Sequence, residues 1–346
     1  MNNFLAPKER KNVANNNIYA TNLQISLGTQ YHRIMSSLKI SRAVLTFLAL
    51  LVIISVVVVF FFSAAKKTTN SSTQLNIVAG EDFWGSLASQ LGGSKVNVTS
   101  IVTDPNSDPH EYESNTANAR EFASANLVIL NGAGYDSWGD KLLSASPNPK
   151  QKVLNVASLL GKKNGDNPHF WYSPSYVNQV ISKIEEDLIG LAPNNSNYFK
   201  ARYSSLKSNL AAYQERISTI KKQFAGVKVA STEDIFVYLS QAIGLDLISP
   251  PAFMEAVAEG NDPPANSVVQ FQQQLESGQV KLLVYNTQTI TPLTDSIKKL
   301  AIAKHIPIVG VSETIEPPNL SFQDWMNNIL SEIQKALAKS VVSSKQ

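Results

Sequence analysis

Val227-Lys228-Val229-Ala230-Ser231-Thr232-Glu233-Asp234 reads as a short β-strand running straight into a polar turn, and Ile235–Ile243 behind it has helical spacing. A β-branched, apolar run bounded by small polar residues favours an extended backbone, and an apolar 3.6-residue period favours a helix. The same unit recurs at Ile306-Pro307-Ile308-Val309-Gly310-Val311, which leads into Ser312-Glu313 and then a helix over Trp325–Ala338. Working outward, Leu75–Ala79, Val96–Val102, Leu127–Asn131 and Leu282–Asn286 also read as strands. Helices are expected near Phe83–Leu91, Ala117–Ser124, Ser175–Leu191, Val268–Glu276 and Pro292–Ala303. Such alternation predicts α/β architecture, with mainly parallel sheets covered by helices.

Three strands precede residue 150 and three follow residue 225, so the expected fold has two lobes. Between them Leu206, Leu210, Tyr213, Ile217, Ile220 and Phe224 step by four and three, the stripe of one amphipathic helix. The expected organisation is a basic leader over 1–43, a membrane anchor or signal over 44–62 and a linker over 63–74. An N-terminal lobe over 75–196, a rigid connecting helix over 197–225 and a C-terminal lobe over 226–340 complete it.

Val44–Phe62 is the anchor candidate, since these nineteen residues carry no charge. At about 1.5 Å per residue they reach roughly 28 Å, close to a bilayer core. Lys8, Arg10, Lys11, Arg33, Lys39 and Arg42 precede the run against one acid, Glu9, which places the N-terminus inside and the bulk of the chain outside. A single-pass anchor is favoured over a signal peptide because the leader and apolar run are both long, although Ser63-Ala64-Ala65 has the small residues of a cleavage site.

The net charge of +3 mixes two compartments: through Lys67 there are eight Lys/Arg and one Asp/Glu, and the remainder carries 22 basic and 26 acidic residues. A mildly acidic external part argues against nucleic-acid binding. The absence of cysteine removes disulfides, thiolate metal sites and thiol nucleophiles.

The chain has only four histidines, and two of them sit in loops rich in polar and aromatic residues. These are Asp108-Pro109-His110-Glu111-Tyr112-Glu113 and Asn167-Pro168-His169-Phe170-Trp171-Tyr172-Ser173-Pro174. With the acids that follow Ala230 and Val311, two imidazoles and two carboxylates could close around one divalent ion. Ligands in open α/β sheets bind beyond the carboxyl ends of the strands, where three of these four groups fall. His305 reads as an exposed turn residue, His32 lies on the cytoplasmic side, and Glu255, Glu259 and Asp262 read as a solvated acidic loop. Glu316 and Asp324 are rival acids near Glu313, and Glu233 has a helix-capping role as its simpler alternative.

DPHEYE at 108–113, NPHFWYSP at 167–174, STED at 231–234 and IPIVGVSETIEPP at 306–318 together resemble the periplasmic or surface-attached substrate-binding proteins of zinc and manganese ABC transporters. The resemblance spans about Leu75 to Lys339. It implies two lobes joined by a long rigid helix, with a Zn²⁺ or Mn²⁺ ion, or Fe²⁺, held between them by His110, His169, Glu233 and Glu313. It also implies a monomer that delivers the metal to a permease with a cytoplasmic ATPase and carries out no catalysis. This chain departs from the family in having Glu rather than Asp at 313, no His-rich loop within Leu159–Asn167, and no lipid-bearing cysteine. The competing readings are a surface-anchored adhesin or binding module for another solute, and a metallohydrolase; no HExxH helix or GxSxG elbow supports the latter.

Overall fold

The structure, a computed structural model, describes residues 42–64, 74–105 and 112–343. Two compact units divide the chain, one up to Ser71 and one from Ser72 onward. In the first, Arg42–Ala64 is helical and exposes Val44, Phe47, Leu48, Leu51 and Ile54. Among the described residues no helix is long and apolar enough to cross a membrane, so the structure does not carry the expectation of a transmembrane anchor at 44–62.

The second unit holds two four-stranded, all-parallel sheets. In the first lobe β1 (Leu75–Glu81), β2 (Val96–Val102), β3 (Leu127–Leu130) and β4 (Lys152–Asn155) lie in the order β2-β1-β3-β4. In the second, β5 (Lys228–Ser231), β6 (Asp246–Leu247), β7 (Leu283–Asn286) and β8 (Ile308–Val311) lie in the order β6-β5-β7-β8. The two lobes therefore repeat one topology. Each has a point where the strand order reverses, between β1 and β3 and between β5 and β7, and in open α/β sheets ligands bind beyond the strand ends at such points. The registers Ile77↔Leu127 and Ala230↔Leu283 fix which residues reach those ends.

The expected strands are all present, and β4 and β6 are additions to them. β6 has only two residues, and β4 is an edge strand with Val153 exposed, so neither makes a buried apolar run. The helices Ser137–Ala145 and Pro251–Ala258 were also unexpected. The second corrects the reading of a solvated loop around Glu255: Phe253, Met254 and Val257 bury one face, and Glu255 lies on the exposed one. Glu259 and Asp262 follow it as exposed residues.

The expected 197–225 helix is instead a pair, Ser196–Asn209 and Ala211–Phe224, meeting at Leu210. Leu210 keeps right-handed dihedrals, φ −74° and ψ −10°, and the bonds Leu210 N to Leu206 O and Gln214 N to Leu210 O carry the ladder across the joint. All six residues of the amphipathic stripe are buried. Arg202 Nε donates to Gln90 O at 2.8 Å in the first lobe, and Arg216 Nε donates to Asn327 Oδ1 at 2.6 Å on the C-terminal helix Phe322–Ser343.

One continuous apolar core joins the lobes, from Ile77 and Phe83 through Trp171, Tyr172 and Tyr213 to Trp325 and Ile333. Phe83 stacks on Trp171 with centroids 4.1 Å apart, and Tyr172 meets Trp325 at 6.0 Å. Shared aromatic burial of this kind resists large hinge opening, because separating the lobes would re-expose several rings at once.

Candidate metal centre

The Asn167-Pro168-His169 loop precedes a single 3₁₀ turn, Phe170–Tyr172, whose three aromatic side chains are buried. The helix Pro174–Leu191 then starts with Ser173 as N-cap and Pro174 in its first turn, as the Ser173-Pro174-Ser175 signature predicts. Asn167 Oδ1 accepts from the His169 backbone N–H at 2.9 Å and lies 3.0 Å from His169 Nδ1. Asp234 Oδ1 lies 3.2 Å from the same ring nitrogen. Two oxygens on Nδ1 select the tautomer that is protonated there, which aims the Nε2 lone pair the other way.

Nε2 points at Glu313, whose Oε2 is 3.9 Å away. His169, Glu233 and Glu313 are buried, and each offers a ligand atom within 4.8 Å of the others. Glu233 follows β5 and makes no side-chain bond to the 3₁₀ turn Asp234–Phe236, which removes the capping alternative. Glu316 and Asp324 are exposed, so burial separates Glu313 from its rivals. His305 is an exposed turn residue with φ +57°, as expected. His110 lies outside the described residues.

Several residues that hold this cluster were not anticipated. Tyr135 donates from the first lobe to Glu313 Oε2 at 2.8 Å. Asn286, at the end of β7, donates through Nδ2 to one oxygen of each acid, Glu233 Oε1 and, at 2.6 Å, Glu313 Oε1. The Glu313 backbone N–H donates to Gln288 Oε1 at 2.5 Å. Two further ties reach the same segment from the first lobe: Tyr172 donates to Ser312 O at 2.8 Å, and Ile315 N donates to the Asp82 carboxylate at 3.0 Å. Tyr135 is aimed by the turn Gly132-Ala133-Gly134, all at positive φ. A Cβ on Gly132 would come within 2.4 Å of Asn155 Oδ1, so this position requires glycine.

Two ionised carboxylates placed together in a buried pocket repel each other and lose hydration. A divalent cation relieves both costs, and imidazole plus carboxylate is a donor set that borderline ions accept. Among the described residues, His169, Glu233 and Glu313 bring their donor atoms together around one point.

A second acidic group lies in the first lobe at the equivalent strand end. Glu81 terminates β1 and is held well above the usual carboxylate range, by burial first and then by the neighbouring Asp136. Burial raises Asp136 to about 6 against the N–H donors of Gly132 and Asn131, and raises Asp82 to about 7 against the N–H of Ile315. Raised carboxyl pKa values mean that the folded protein binds more protons than the unfolded chain. The stability linked to these groups is full below the unfolded carboxyl pKa, about 4, and is lost as pH rises through 6 and 7. Glu81→Gln, which carries no ionisable proton, is expected to gain stability relative to the parent between pH 5 and pH 8. Urea unfolding at both pH values checks this; parallel pH profiles would contradict the protonated Glu81.

A family model described as zinc-uptake complex component A, periplasmic (ZnuA), matches residues 77–336. The manganese ABC transporter substrate-binding lipoprotein PsaA of Streptococcus pneumoniae is 26% identical over 197 residues, 51% of this chain and 61% of that protein. The chain thus spans about three fifths of that relative's length. The metal ABC transporter substrate-binding lipoprotein SsaB of Streptococcus sanguinis is 24% identical over 293 residues, 78% of this chain and 91% of that one. The fold is shared with the periplasmic zinc-binding protein TroA from Treponema pallidum, with a TM-score of 0.65, 14% identity, and 76% of this chain and 100% of that chain covered. FpvC from Pseudomonas aeruginosa, solved with Mn²⁺, gives a TM-score of 0.64 at 19% identity, covering 78% of this chain and 100% of that one. These relatives are metal-binding transport proteins and not enzymes. The family match runs through both lobes and through the loops bearing His169, Glu233 and Glu313, and the chain belongs to the family of the periplasmic component A of zinc-uptake complexes.

Proposed function

We propose that this protein captures a divalent transition metal, Zn²⁺ or Mn²⁺, outside the cytoplasmic membrane and delivers it to an ABC permease driven by a cytoplasmic ATPase. The observation that carries the reading is the buried convergence of His169 from the first lobe with Glu233 and Glu313 from the second. His110, in the segment between β2 and Tyr112, is the fourth ligand in this reading, and residues 197–225 form the connector. In this reading the protein acts as a monomer.

Relatives named as manganese or metal transporter lipoproteins support the transport role. By the Irving–Williams order the site binds zinc more tightly than manganese, so the delivered ion follows availability as well as affinity. Cells lacking the chain should accumulate less metal under chelation, measured by elemental analysis, with restoration by the parent gene and none by a His169→Ala copy. Equal metal content in all three strains would sink the transport role.

A further inference from the structure

The second lobe carries Glu233 and Glu313 beyond one end of its parallel sheet, and the other end of the same sheet is basic. In the order β6-β5-β7-β8, the three adjacent strands β5, β7 and β8 are each entered through basic residues. Lys228 opens β5, Lys281 lies just before β7, and Lys304 and His305 precede β8. The Lys281 N–H donates to Lys228 O at 2.9 Å and the Leu283 N–H to Pro307 O at 3.0 Å, so bonds between neighbouring strands set these residues side by side. With strands about 4.8 Å apart, the row spans roughly 10 Å. Lys281, Lys304, His305 and Lys339 of the C-terminal helix line a surface groove of about 630 Å³, and among the described residues that line it none is acidic. The external part as a whole has the opposite balance, with 22 basic against 26 acidic residues.

Two details of the groove point to its partner. His305 ends the helix Pro292–Ala303 in a Schellman turn: its N–H donates to Ile302 O at 3.0 Å, and the Ile306 N–H donates to Ala301 O at 2.9 Å. That turn holds His305 at φ +57°, where glycine is the relaxed choice, so the chain keeps a ring at the groove against backbone preference. Ile302 also lines the groove and is 56% exposed among the basic residues. Lysines flanking an exposed aliphatic side chain suit a lipid surface, where the cations meet headgroup phosphates and the apolar residue meets the acyl boundary. A free phosphate or a soluble polyanion offers nothing to Ile302. We propose that this end of the second lobe is a docking surface for anionic phospholipid headgroups. Docked so, the molecule turns the strand ends that bear Glu233 and Glu313 away from the lipid. The inference uses none of the metal-site residues and stands or falls apart from the metal-binding reading.

The chain has no cysteine, so a single introduced one labels a single position. The full-length protein would carry a fluorophore at Gln279→Cys, exposed before β7, or in a second preparation at Ile290→Cys, exposed after β7. Vesicles of phosphatidylcholine, with and without phosphatidylglycerol, would carry a headgroup quencher. Quenching at 279 is expected only with phosphatidylglycerol, and it should fade at about 1 M salt, where the screening length falls to about 3 Å. The label at 290 should stay unquenched. Lys281→Gln combined with Lys304→Gln should weaken the contact roughly thirtyfold, the loss of two lysines at an anionic surface. Any attachment through the N-terminal segment is common to parent and variant. Equal quenching in the two vesicle types, at the two positions, or in parent and double variant overturns the proposal. Displacement by inorganic phosphate at constant ionic strength also overturns it and assigns the groove to the free anion. The vesicle and label comparisons use the parent lysines, so they decide the matter even where the double variant misfolds.

Discussion

Replacing His169 with alanine is expected to abolish high-affinity binding of Zn²⁺ and Mn²⁺, raising Kd at least about a hundredfold, or roughly 2.7 kcal/mol. The imidazole is the one described ligand that the first lobe contributes, and its Nε2 is aimed by two oxygens on Nδ1. Without it Glu233 and Glu313 still face each other, but the ion loses its only described nitrogen donor and its link between the lobes. Competition titration against a chelator of known affinity measures the loss; parental affinity in His169→Ala would remove this residue from the site. Acid should weaken the parent as well, because protons compete with the metal for imidazole and carboxylate.

Trp171→Ala is expected to destabilise the fold by about 3–5 kcal/mol, the range for deleting a large buried aromatic. Trp171 is fully buried, stacks on Phe83, and touches Tyr135, Tyr172 and His169 with centroids 5.2 to 5.8 Å away. It therefore supports the core that joins the lobes and also backs the metal-facing ring. Urea unfolding should show the loss in midpoint, and metal affinity should fall with it. A loss below about 1 kcal/mol would mean that the core collapses around the void, contrary to the close packing seen here.

Much of the fold is legible in the sequence because parallel strands buried on both faces are apolar runs and their helices carry a 3.6-residue stripe. The six strands and the buried face from Leu206 to Phe224 follow from those two signals. β6 escapes because two residues make no pattern, and Pro251–Ala258 because its acids masked an apolar face of Phe253, Met254 and Val257. The break at Leu210 has no sequence signature, as the apolar spacing runs through it unchanged.

The site divides in the same way. His169, Glu233 and Glu313 are chemically conspicuous and follow polar motifs, and the structure brings them together. Tyr135 and Asn286 act through hydrogen bonds between segments far apart in sequence, which no local pattern encodes, whereas Asn167 and Asp234 lie within the polar motifs themselves. One signal was available for Asn286: the rule that sites lie beyond strand ends applies to β7 as much as to β5 and β8. The Glu81–Asp136 pair escapes notice because isolated acids at strand ends resemble solvated loop residues until their burial is known.

The central claim is that one divalent ion sits among His169, Glu233 and Glu313, and elemental analysis of the purified full-length protein tests it most directly. The protein would be stripped with chelator, reloaded separately with Zn²⁺ and with Mn²⁺, and freed of excess metal. One ion per chain, bound with a submicromolar Kd and absent from the Glu313→Ala variant, is the expected result. No stoichiometric uptake of either ion, or full uptake by Glu313→Ala, would contradict it.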